Sequence, residues 1–239
     1  MQRALSYIIL GSILLAFFSN LSGLELRAEE PRRAVVSMEM AESGEWVVPH
    51  INGKPYYNKP PVFNWLMAGV FKLSGSYDEW AVRLPSLLSF LALALLHFFF
   101  SKQYLGQRKA ALSSLFLITA VDLLFYGSVN SGEIDLFYAL VCYGQMMAIF
   151  HYFQKRKWLQ LFVVSYAILA IGFLTKGMPS LAFQALTLLA YFGVKKELKR
   201  LFSWQHALGI LVLLGLAGGY FYLYDLQEDG RSFLIRQFK

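Results

Sequence analysis

Two glutamates and two arginines surround one proline in Glu29-Glu30-Pro31-Arg32-Arg33, directly after an apolar run long enough to cross a bilayer. A carboxylate placed there can take a proton from a hydroxyl, while a guanidinium, positive at any physiological pH, can hold an anion such as phosphate. A local structural account competes with this one. Pro31 suits the first turn of a helix, the helix dipole favours ionised carboxylates at its amino end, and Arg32 lies within reach of Glu29 three residues back. On these five residues alone the two accounts stand about even.

Four further places carry charge close to apolar sequence. Lys59 sits in Tyr56-Tyr57-Asn58-Lys59-Pro60-Pro61, beside aromatic Tyr57 and ahead of an apolar stripe. That suits a phosphate headgroup at the bilayer surface, although on local grounds a lysine snorkelling without a ligand explains it better. Glu133 and Asp135 lie in Gly132-Glu133-Ile134-Asp135-Leu136-Phe137, and Lys176 follows Phe173-Leu174-Thr175. Charges at the rim of hydrocarbon are costly unless paired or wet, so these are functional candidates. Glu25, Glu39, Glu42, Glu45, Lys54, Asp78 and Glu79 read as ordinary solvated loop charges.

The elements that must position these residues are membrane helices. Of 239 residues, 57% are hydrophobic and only 15% charged, against about 25% in ordinary soluble domains. Apolar runs of spanning length are expected at 4–24, 83–101, 110–127, 134–150, 158–175, 178–193 and 206–224, about seven in all. The first lacks a small-residue cleavage site and is read as a retained helix. The +7 formal charge argues weakly for nucleic acid, because much of it falls in short loops: Lys102, Arg108 and Lys109; Lys155, Arg156 and Lys157; Lys195, Lys196, Lys199 and Arg200. These loops share one parity and should face the cytoplasm. Loops of the other parity carry all the candidate residues. Arg27, Arg32 and Arg33 run against that rule beside the first span. Within the first outer loop a helix is expected from Pro31 to Ser43-Gly44 with Ala34, Met38 and Ala41 on one face, then an Asn52-Gly53 turn. An interfacial helix follows, with Phe63, Leu66, Met67, Val70 and Phe71 as its apolar stripe. Cys142, the only cysteine, reads as packing.

Taken in order, EEPRR, EM-x-x-SG-x-W-x-VPH-x-NG-x-PYYNKPP, RLPS, GEIDLF and FLTKG resemble the amino-terminal half of GT-C glycosyltransferases of the aminoarabinose-transferase and protein O-mannosyltransferase type, over about residues 20–190. The resemblance implies an all-α, multi-span bundle with amphipathic helices in its first outer loop. It implies transfer of a sugar from a polyprenyl-phosphate donor to an envelope lipid, protein or glycan acceptor, in the inner membrane and at its outer face. Glu29 then matches the family's catalytic Asp, with Glu in its place, and Glu30 the Glu that follows it. Arg32 matches the next arginine, Lys59 the lysine near the carrier phosphate, Asp135 the second acidic position and Lys176 the lysine of the TKG motif.

The implied chemistry calls for these residue types. A carboxylate, Glu29 or Glu30, deprotonates or orients the acceptor hydroxyl. Lys59, with Arg32 or Lys176, stabilises the departing phosphate, and Tyr57, Glu133 and Asp135 complete the substrate site. The histidines His50, His97, His151 and His206 show no ligand spacing, so no metal or cofactor is expected, with a divalent cation left open. Neither a nucleotide nor nucleic acid is expected as a partner; membrane lipid is. Four regions follow: a first span at 1–24, an outer loop with the catalytic motif at 25–82, a bundle at 83–224 and an outer tail at 225–239. The chain is expected to be shorter than its family and so of weak activity alone. Two rival readings are a transporter or flippase of lipid-linked substrates and a non-catalytic fragment of a glycosyltransferase.

Overall fold

A computed structural model describes residues 11–13, 15–19, 21–120 and 129–227. They form an all-α bundle relieved by a single two-stranded hairpin. Helical residues 11–13 and 15–19 lead to a bend at 21–24, after which α1 (Glu30–Ser43) begins with Pro31 in its first turn and ends on Gly44 at φ 74°. Gly44 takes the left-handed conformation that costs glycine little, and its N–H returns to the Met40 carbonyl. The hairpin joins β1 (His50–Ile51) to β2 (Lys54–Pro55) through Asn52 and Gly53, both with positive φ. Glu39 of α1 pins it, its carboxylate accepting the N–H groups of Asn52 at 2.5 Å and Gly53 at 3.2 Å.

Helix α2 (Val62–Ser74) packs on α1, and the stripe expected to face the bilayer divides in two. Phe63, Met67 and Phe71 are fully buried against Val36 and Met40 of α1 and Ala81 and Val82 beyond. Leu66 and Leu73 point outward, Leu73 at 92% exposure. The buried face of α1 also differs from the expected one: Arg33, Val36, Ser37 and Met40 point inward with Ala41, whereas Ala34 and Met38 are only half-buried. Arg33 is satisfied on that inner face by Glu133 and the Phe63 ring, whereas the Ser37 hydroxyl is buried there with no hydrogen-bond partner among the described residues.

The remaining helices are α3 (Glu79–Leu105), α4 (Gln107–Ile118), α5 (Asp135–Gln154), α6 (Trp158–Lys176), α7 (Pro179–Val194) and α8 (Trp204–Gln227), the last carrying a π turn at the glycine-rich Leu214–Gly218. Helices α3, α5, α6 and α8 are long and apolar enough to cross a membrane, while α7 has 16 residues and is shorter. The expected first and third spans lie partly outside the described residues, as does the tail expected at 225–239 beyond Gln227. Helix α3 begins a turn earlier than the apolar run, because Arg83 in its second turn is neutralised and not left in hydrocarbon. Two glutamines inside the bundle are likewise paired: Gln145 donates to Gln184, and Gln184 to Ser165 at 3.2 Å. Close approach of α8 to α6 rests on Gly209, whose missing Cβ would lie 2.7 Å from a ring carbon of Tyr166.

Successive helices reverse direction, so the loops sort to two ends. One end gathers the bend at 21–24, α1, α2, the Gly132–Ile134 loop, the start of α5 and the end of α6. The other gathers the basic loops, Arg156 meeting Glu197 and, beside the loop of Lys102 to Lys109, Tyr104 meeting His151.

Candidate active site

Glu29 and Glu30 are neighbours in sequence and opposites in environment. Glu30 is 0% exposed. Its Oε1 accepts Arg83 Nε at 2.9 Å and the Gly132 N–H at 2.7 Å, and its Oε2 accepts the Arg27 N–H at 2.9 Å and Arg83 Nη2 at 3.3 Å. Burial alone raises the pKa of this carboxyl. The Arg83 hydrogen bonds and charge, together with the two backbone N–H groups, outweigh that and hold it below the ordinary glutamate value. Glu30 is thus an ionised clamp with both oxygens occupied.

Arg83, which sequence reasoning passed over as the edge of a span, is the other half of the clamp. It is 1% exposed, and all five of its N–H donors are used. Beyond the bidentate contact with Glu30, Nη1 donates to the Leu21 and Leu24 carbonyls at 2.7 and 2.9 Å, and Nη2 to that of Glu25 at 3.0 Å. These carbonyls close the chain's exit from its first helical stretch, where backbone acceptors lack helical partners. The signal available in the sequence was an arginine one turn inside a hydrophobic helix, which is costly unless paired.

Glu29 keeps its side chain 45% exposed, with Oε2 2.9 Å from Arg32 Nη1. Its backbone N–H donates to Glu133 Oε1 at 3.3 Å, while Glu133 Oε2 accepts Arg33 Nε at 3.2 Å. Glu133 therefore braces the first turn of α1 from the second loop, and Arg33 also stacks over the Phe63 ring. At the same end Lys176 Nζ lies 2.6 Å from Asp135 Oδ1 and over the Tyr138 ring, bridging the last turn of α6 to the first of α5. Tyr57 packs edge-on against Tyr224 of α8. Lys59 is half-buried, and among the described residues it has no carboxylate in ion-pair range.

The structure thus brings Glu29 to Arg32, Glu133 to Glu29 and Arg33, and Lys176 to Asp135. It leaves Lys59 apart from these ion pairs. Among the described residues no three His, Cys, Asp or Glu side chains gather in a metal-binding arrangement. A cavity of about 510 Å³ opens between Glu39, Glu42, Glu45 and His50 at the far end of α1, and none of Glu29 to Arg33 lines it.

Four helices long and apolar enough to cross a membrane, with a charge-paired rim at one end, define an integral membrane protein. Residues 58–219 match the dolichyl-phosphate-mannose-protein mannosyltransferase family, and the chain belongs to that family. It is 32% identical over 178 residues to an undecaprenyl phosphate-alpha-4-amino-4-deoxy-L-arabinose arabinosyl transferase from Aeromonas hydrophila, a match covering 72% of this chain and 32% of that protein. A similar transferase from Proteus mirabilis is 27% identical over 87% of this chain and 38% of its own length. The crystal structure of ArnT from Cupriavidus metallidurans bound to undecaprenyl phosphate superposes with a TM-score of 0.82 at 25% identity, over 99% of this chain and 44% of that one. Its apo form gives a TM-score of 0.78. The chain spans about a third of the length of the curated transferases it matches.

Proposed function

We propose that this chain forms the carrier-binding and acceptor-activating part of a GT-C glycosyltransferase that moves a sugar from a polyprenyl-phosphate donor to an envelope acceptor, an envelope lipid such as lipid A first among them. The site is assigned to the outer face of the inner membrane, with the basic loops in the cytoplasm. The observation that carries the reading is Glu29: a solvent-accessible carboxylate held beside Arg32 at the membrane rim, on a helix whose first turn is fixed by Glu133 and whose neighbour Glu30 is locked.

Each group then has one task. Glu29 takes the proton of the acceptor hydroxyl as its oxygen bonds to the anomeric carbon. The bond from that carbon to the phosphate oxygen breaks, and the carrier phosphate departs with the electron pair. Lys59, Arg32 and Lys176 supply positive charge to the leaving phosphate, and Asp135 holds Lys176 in place until substrate arrives. Tyr57 and Glu133 shape the site around them, and no metal enters this scheme. Support comes from family membership and from the fold shared with an undecaprenyl-phosphate-bound relative.

Mass spectrometry of envelope lipids and proteins, from cells expressing the gene and from its deletion strain, tests the reading. A glycosyl mass present only with the gene is expected. Carrier movement across vesicles without any added mass would replace the transferase with a transporter, and carrier binding with neither activity would leave a non-catalytic protein.

A further inference from the structure

The end of the bundle opposite the candidate site holds a second charged structure that the transfer chemistry does not use. The α5–α6 turn carries Lys155, Arg156 and Lys157, and the α7–α8 connection carries Lys195, Lys196, Lys199 and Arg200. An ion pair draws the two together: Glu197 lies 2.6 Å from Arg156 and 3.5 Å from Arg200. Both guanidiniums also stand over the Trp158 ring, at 5.8 and 4.8 Å from its centroid. Seven of the chain's 22 Lys and Arg gather here against one of its 15 carboxylates, so the remaining fifteen cations and fourteen anions nearly balance. Nearly all of the +7 formal charge therefore belongs to this one patch.

The backbone presents the charge by the same device twice. At the end of α5 the Arg156 N–H bonds to Phe153 O and the Lys157 N–H to Tyr152 O; at the end of α7 the Lys196 N–H bonds to Gly193 O and the Glu197 N–H to Phe192 O. Arg156 and Lys196 hold the turning position with φ of 54° and 56°, a conformation glycine adopts most easily. A cation occupies both strained positions, an observation that points toward function more than toward stability. Beside the patch, Val194, Phe202 and Trp204 are exposed at 79, 93 and 66%. Apolar and aromatic side chains so placed at the ends of spanning helices sit at headgroup depth, which makes the facing ligand a lipid.

We propose that this patch binds the headgroup of an anionic glycerophospholipid in the leaflet opposite the candidate site, its phosphodiester between the five lysines and its acyl chains along α7 and α8. Glu197 holds the two arginines on Trp158 as a frame, and Lys155, Lys157, Lys195, Lys196 and Lys199, with no carboxylate of the described residues in ion-pair range, provide the charge. Basic clusters between helices on this side of a membrane suit such headgroups.

The test uses the delipidated 239-residue chain, titrated in detergent with phosphatidylglycerol, phosphatidylcholine or inorganic phosphate and read by native mass spectrometry and thermal unfolding. Phosphatidylglycerol should be retained and raise the unfolding temperature, phosphatidylcholine should do neither, and millimolar phosphate should not displace the bound lipid. The triple variant Lys195→Gln, Lys196→Gln, Lys199→Gln should weaken retention on the order of 100-fold, each cation near an anionic surface contributing roughly fivefold. Lys109→Gln, in the third basic loop, should leave it unchanged. Equal retention of the two lipids by the unaltered chain overturns the proposal and leaves the patch to a protein segment. Displacement by phosphate reassigns it to a soluble anion, and equal weakening by Lys109→Gln reduces it to diffuse charge.

Discussion

Adjacent carboxylates invite the assumption of shared chemistry, and the structure separates them. Glu29 offers an accessible oxygen, so Glu29→Gln in an active protein should slow the chemical step by about 10²–10⁴-fold and leave carrier binding nearly unchanged. Single-turnover rates beside equilibrium carrier binding make that distinction. Arg32→Ala and Lys59→Ala should do the reverse, since they remove charge from the phosphate and not a proton acceptor. Glu30 acts through stability. Its folded pKa lies below the ordinary value of 4.5, so the stabilisation it brings is complete above about pH 4.5 and is lost as pH falls through the lower folded value. Thermal unfolding followed from neutral pH downward should show that acid-side loss, and Glu30→Gln should remove it. Arg83→Ala strands a buried carboxylate and should cost about 3–5 kcal/mol, with denaturant unfolding as the measure. If Glu30→Gln kept full stability but lost turnover, the assignment of base and clamp would have to be exchanged.

Helices and turns were legible where a residue type dictates the backbone. Pro31 and Gly44 bound α1, and Asn52-Gly53 turns the hairpin, because each has a conformational preference that neighbours do not override. The inward face of α1 was not legible. Arg33 faces the core there because Glu133 and Phe63, distant in sequence, supply partners, and no periodicity encodes a partner 100 residues away. Arg83 escaped notice for the same reason: its value lies in carbonyls and a carboxylate 53 to 62 residues upstream. Close packing between elements is equally hidden, and Gly132 shows it. A Cβ there would lie 2.6 Å from Val82 Cγ1 and 3.1 Å from the Val82 carbonyl oxygen, while its N–H holds Glu30. Gly132→Ala should therefore push the second loop off α3 and loosen the clamp, costing about 1–3 kcal/mol. Gly53→Ala, with open space around its Cβ, tests backbone strain alone by the same unfolding measurement.

Over the whole molecule, charge and topology make one argument. The candidate carboxylates and Lys176 can serve a single site only if the loops that carry them share a face; the Glu29 N–H bond to Glu133 and the ion pairs Arg33–Glu133 and Lys176–Asp135 place those loops together at one end. The basic loops meet at the other end through Arg156 and Glu197. Loop parity in the sequence already implied this sorting, because short loops between spans must alternate sides. Which end faces outward is a matter of insertion, and the proposed orientation puts the Arg156 end, with its basic excess, in the cytoplasm. Single cysteines introduced at Asn130, Lys176, Lys157 and Lys196, with Cys142 replaced by Ala, should then react with an impermeant thiol reagent in intact cells at 130 and 176 and only after permeabilisation at 157 and 196. Reaction at 157 from outside would invert the molecule, placing Glu29 in the cytoplasm and removing the outer-face site. Reaction at both 130 and 157 from outside would break the alternation itself, and with it the common end on which the proposed transfer chemistry depends.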